Sequence, residues 1–178
     1  MTQQVPSASL SPRLQSWLEI RGIGCSTDPE FIKLIPWMRT MTVLCGALIG
    51  LGTALAFTPL LWAMVPIAAL GAIFQVHPFD LIYNYGLRHL TGTRPLPRNG
   101  VPTRFACGVA SVWLVATALA FEAGIAWLGY LLGGVLTSIG ALVSVTQFCI
   151  PSLIYQFLLG DRVLAYRALF GRRQVESA

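Results

Sequence analysis

The sequence predicts an all-α, polytopic membrane protein: four transmembrane helices arranged as two duplicated hairpins, with amphipathic interfacial helices on the cytoplasmic side. Three observations predict it. Of the 178 residues, 55% are hydrophobic and only 11% are charged, less than half of the roughly 25% found in soluble domains. Two stretches, 40–79 and 105–160, carry no charged residue except Glu122, and each is at least twice the ~20 residues that one spanning helix needs. The twelve Lys and Arg residues all lie outside those stretches. Mean hydropathy is +0.68. The chain divides into an N-terminal amphipathic segment 1–39, a transmembrane domain 40–160 with a cytoplasmic loop 78–104, and a basic tail 161–178.

The elements follow in order. In SPRLQSWLEIRG, Ser11 is a helix cap and Pro12 suits the first helical position, with Leu14, Trp17 and Leu18 on one apolar face. Thr27 and Glu30 stand at capping-box spacing and mark a second start. Helix 1 is expected over Thr40 to Phe57. Thr58-Pro59 breaks the run, because proline removes a helical hydrogen bond and restricts the residue before it. Helix 2 follows over Leu60 to Val76. After Pro78, FDLIYNYGLRHL puts Phe79, Ile82, Tyr83, Leu87 and Leu90 on one face. Asp80, Asn84 and Arg88 fall on another face, read as a solvated stripe with Asp80 as the N-cap. This pattern predicts a helix at the headgroup level. GTRPLPRNGVP, residues 92–102, reads as a loop. Helix 3 is expected over Phe105 to Phe121 and helix 4 over Ala126 to Phe148. Past Pro151, Leu153, Ile154, Phe157 and Leu158 begin another surface helix. Small residues at four-residue spacing, Gly46, Gly50 and Ala54 in helix 1 and Gly129, Gly133 and Thr137 in helix 4, predict close helix packing inside the bundle.

Orientation comes from the basic residues. Arg13, Arg21, Lys33 and Arg39 precede helix 1; Arg88, Arg94, Arg98 and Arg104 separate helices 2 and 3; Arg162, Arg167, Arg172 and Arg173 follow helix 4. Four spans put all twelve on one side, and the positive-inside rule makes that side cytoplasmic, both termini included. Trp62 and Trp127 then sit at the outer interface. The net charge of +5 predicts attraction to anionic headgroups and argues against a nucleic-acid partner. No basic start, short apolar stretch and small-residue cleavage site open the chain, so no cleaved signal peptide is expected.

The two halves resemble each other. TALAF occurs at 53–57 and 117–121, ending helices 1 and 3. QVHPFDLIYN at 75–84 lies over QFCIPSLIYQ at 147–156 without a gap, pairing His77 with Cys149 and Asp80 with Ser152. Order and spacing predict a hairpin plus surface helix used twice, related by an axis along the membrane normal.

Few residues offer chemistry. Cys149 stands just before a helix start, where the dipole favours a thiolate; free cysteine is also a common buried hydrophobe, and Cys149 is read first as a small residue at a bend. Cys25, Cys45 and Cys107 show no metal-ligand spacing. His77 and His89 form no haem or metal pair, so no cofactor or metal is expected. No ionisable residue sits mid-span, which argues against a pump.

HPFD at 77–80, the basic Pro-rich loop, PTRFACG at 102–108 and the Phe148-Cys149 to Tyr155 pattern resemble the bacterial membrane proteins grouped as domain of unknown function 4395, over roughly Asp28 to Tyr155. The resemblance implies Cys-x-x-Cys near the last helix end and a place near thiol or sulfur metabolism. Cys149 matches the first cysteine of that pattern, and Ser152 replaces the second. It also implies the bacterial cytoplasmic membrane. His77, Asp80, Arg88, Arg104, Cys149 and Ser152 are the candidate functional residues. The expected function is a non-catalytic accessory subunit or assembly factor of a membrane complex, with other membrane-protein subunits as partners. The alternative is a cytoplasm-facing thiol- or sulfur-handling protein built on Cys149.

Overall fold

The computed structural model describes residues 12–23, 29–92 and 94–160, and every regular element among them is helical. The Ser11 cap, the Thr27 capping box and the tail 161–178 fall outside the described residues.

Helix α1 (Pro12–Ile20) starts on its proline as expected. It ends where Gly22 turns left-handed at φ +71°. The Gly22 N–H donates to the Glu19 carbonyl (2.9 Å) and the Ile23 N–H to that of Leu18 (3.1 Å), a Schellman ending. Leu18, Ile20 and Ile23 are buried, so this apolar face is turned into the protein. A lone surface helix would have left it against lipid.

Helix α2 (Pro29–Ala54) begins well before the expected Thr40 and carries Lys33 and Arg39 on its first turns. The reason is physical: a charge ends a hydrophobic run but not a helix, and the long stems of Lys and Arg let their heads reach water. Helix α3 (Thr58–Ile73) holds Pro59 in its first turn, where the missing N–H costs nothing. It stops three residues short of Val76 because Phe74 turns extended.

Helix α4 (Pro78–Ile82) runs through a π turn at Tyr83–Leu87 into the short α5 (Arg88–Thr91). Phe79 and Tyr83 are buried but Ile82 is exposed, which corrects the expected apolar face: at a membrane surface an apolar side chain facing lipid carries no penalty, so Ile82 need not turn inward. Asp80 is the third helical residue and His77 the N-cap. The His77 backbone N–H donates to Asp80 Oδ2 (3.1 Å) and His77 Nδ1 accepts from the Phe79 N–H (3.3 Å). The expected solvated stripe is also corrected, because Asp80 and Asn84 hold the following loop. Asn99 Nδ2 donates to Asp80 Oδ2 (3.3 Å) and the Leu96 N–H to Asn84 Oδ1 (2.9 Å).

Helix α6 (Val101–Glu122) starts four residues before Phe105, with Pro102 in its first turn. Helix α7 (Ala126–Thr146) begins where expected and ends two residues before Phe148, at a left-handed Gln147. Helix α8 (Ile150–Leu158) follows with Cys149 as N-cap. The second TALAF lies wholly inside α6, whereas the first straddles the α2–α3 turn with Ala56 at φ +48°. TALAF therefore does not mark matching turns.

Helices α2, α3, α6 and α7 form a ring. α2 packs on α3 and α7, and α6 packs on the same two helices. Most of the small residues expected to pack do so inside this ring: Gly46 faces Gly140, Gly50 faces Thr137, and Gly133 lies against Thr53, whereas Ala54 is exposed. The segments Lys33–Ala54, Val101–Glu122 and Ala126–Thr146 are long and apolar enough to cross a membrane. The pair Thr58–Ile73 and Pro78–Gly86, bent by 84°, makes a fourth if counted as one broken span.

Candidate functional site

The joint between α7 and α8 is where polar side chains collect. Gln147, the left-handed C-cap of α7, is fully buried, as is Ser152 in the first turn of α8. Cys149 between them is 8% exposed. Ser152 Oγ donates to the Pro102 carbonyl (3.1 Å) and Gln156 Nε2 to that of Ile20 (3.3 Å). Thr103 Oγ1 donates to the Arg21 carbonyl (2.8 Å). These bonds tie α8, the start of α6 and the turn after α1 into one polar layer.

Arg21 lies in that layer. Its Nη1 donates to Gln147 Oε1. Among the described residues its Nε has no acceptor, and neither has Gln147 Nε2. Burial pulls the guanidinium below its ordinary value, and Cys149, Cys107 and Asp80 each push it back up. Among the described residues no carboxylate is in ion-pair distance of Arg21.

Two close backbone approaches build this arrangement. A Cβ on Gly22 would stand 3.0 Å from Gly100 Cα, and one on Gly100 only 2.6 Å from Gly22 Cα, so glycine at both positions lets the Arg21 turn dock on the start of α6. On α3, a Cβ at Gly71 would stand 2.5 Å from His77 Cδ2 and 3.3 Å from Cys107 Sγ. His77 and Cys107 thus share the space that this glycine leaves. Trp17 of α1 meets Phe148 edge-on at 5.8 Å, and α1 covers the joint.

Of the candidate residues, the structure brings Cys149 and Ser152 together at the joint and joins His77 to Asp80 in a capping box. Asp80 reaches Arg21 only electrostatically. Arg88 opens α5. Arg104 faces another way: its Nε donates to the Ala72 carbonyl (2.9 Å) and its Nη2 to that of Ile73 (2.7 Å), closing the end of α3. Sequence reasoning missed Arg21, Gln147, Thr103 and Gln156. The signal available for Arg21 was its place between Ile20 and Ile23 beside a helix-ending glycine, a poor setting for a solvated charge.

The family model described as "Domain of unknown function (DUF4395)" matches residues 30–159. The chain belongs to this family. The match takes in the His77 to Asp80 cap, the start of α6 and the whole α7–α8 joint, while α1 and Arg21 precede it. No curated protein and no solved structure matches the chain.

Proposed function

We propose that this family member is a four-span protein of a bacterial cytoplasmic membrane, with both termini in the cytoplasm, and that it handles thiols or sulfur there through Cys149. The observation that carries the reading is the buried Arg21 guanidinium, which has an unused Nε–H and no carboxylate partner among the described residues. A guanidinium does not escape burial by losing its proton. Unpaired, it costs roughly several kcal/mol, and an anion beside it is correspondingly favoured. Cys149 interacts electrostatically with Arg21, and a thiolate formed there during reaction would be such an anion.

Ser152 supplies no second thiol, so a local disulfide cycle is not the chemistry. Sulfur transfer fits a single thiolate. Cys149 Sγ attacks the outer sulfur of a low-molecular-weight persulfide; a new S–S bond forms on Cys149, the donor's S–S bond breaks, and the donor departs as its thiolate. No external oxidant or reductant is needed.

Two further parts of the reading have their own support. The placement of all twelve basic residues outside the apolar stretches supports the orientation. Duplication is supported by the ring, in which the second helix of each hairpin packs on the first of the other, as a twofold axis along the membrane normal requires. His77 and Cys149 are both N-caps, with Asp80 and Ser152 both third in their helices.

The test is to treat the protein in mild detergent with a low-molecular-weight persulfide and map the sulfur by peptide mass spectrometry. Cys149 is expected to gain one sulfur, and Arg21→Gln to reduce that gain. If Cys149 stays unmodified and a stoichiometric membrane partner co-purifies, the accessory-subunit reading takes its place.

A further inference from the structure

A second feature is independent of the thiol site. The outward face of α6 forms the floor of an open apolar groove of about 840 Å³, with Ala72 of α3 on one wall and Leu132 of α7 and Tyr155 of α8 on the other. Val101, Val109 and Val112 line it and are all exposed. From Val101 to Ala116 the floor runs about 22 Å at 1.5 Å per residue, longer than the ~15 Å of hydrocarbon in one leaflet. One end is charged. Arg104 lines it there, and two of its five N–H groups close α3. The other three have no acceptor and no carboxylate in ion-pair distance among the described residues.

We propose that this groove is a specific site for one anionic phospholipid, with its phosphate on Arg104 and an acyl chain lying along α6 toward Trp113 and Ala116. Charge complementarity selects this occupant: an unpaired guanidinium at the mouth of an apolar groove suits a molecule with an anionic head and a long apolar tail. A helix from a second copy would leave that guanidinium without an anion.

Native mass spectrometry of the full chain, in detergent with equimolar phosphatidylglycerol and phosphatidylcholine, tests it. Wild type is expected to retain one phosphatidylglycerol with a preference of about fivefold, the ratio that one basic residue at a lipid surface supplies. Arg104→Gln should remove the preference and Arg104→Lys keep part of it. Gly108→Leu fills the groove where a Cβ meets only Ala72 at 3.7 Å, improves helix propensity, and should lower retention of both lipids with the fold intact by circular dichroism. Equal retention of the two lipids by wild type overturns the proposal. So does a preference that survives both Arg104→Gln and Gly108→Leu, or a protein dimer that carries no lipid.

Discussion

Gly22 decides where the Arg21 guanidinium goes, because it ends α1 at φ +71° and its missing Cβ lets the turn touch Gly100. Any side chain here meets both a strained backbone and the chain opposite. Gly22→Ala should therefore lower stability by about 1–2 kcal/mol from the left-handed conformation alone, seen as a lower melting temperature in detergent. It should also loosen the docking of α1 and so expose Cys149 to alkylation. An unchanged melting temperature with unchanged labelling would mean that the turn does not hold Arg21. The place of Cys149 just before a helix start was legible in QFCIPSLIYQ, because Pro151 suits a first helical turn. The buried guanidinium was not, since Arg21 and Cys149 are far apart in sequence and hydropathy reading treats every arginine as a topology marker.

Among the elements, the α2–α7 seam is where small residues carry the packing. A Cβ at Gly133 would stand 2.3 Å from Thr53 Cγ2, and a β-branched threonine has little freedom to move aside. Gly133→Val should cost about 1–3 kcal/mol through overpacking, while the same change at Gly134, where a Cβ meets nothing, should cost little. Thermal unfolding of the two variants side by side separates the seam from a general effect of valine on the helix. The spacing Gly129, Gly133, Thr137 was readable beforehand because a four-residue repeat survives any uncertainty in helix ends. The ends were less readable. α2 runs through Lys33 and Arg39, which hydropathy takes as a boundary, and the π turn at Tyr83–Leu87 interrupts the surface helix for reasons local to the backbone.

For the whole molecule, composition and charge placement were enough to predict a helical bundle of mostly spanning segments. They said nothing of the covering α1 or the polar layer beneath it, because buried polar contacts depend on which loops meet. The bundle, the proposed cytoplasmic side and the proposed working thiol meet in one quantity: the rate at which Cys149 reacts with a membrane-impermeant maleimide from each face. In inverted membrane vesicles Cys149 should label faster than Cys45, and in intact cells it should not label. Arg21→Gln should slow it. Labelling from the outer face, or a rate no faster than that of Cys45 and indifferent to Arg21→Gln, would contradict the account.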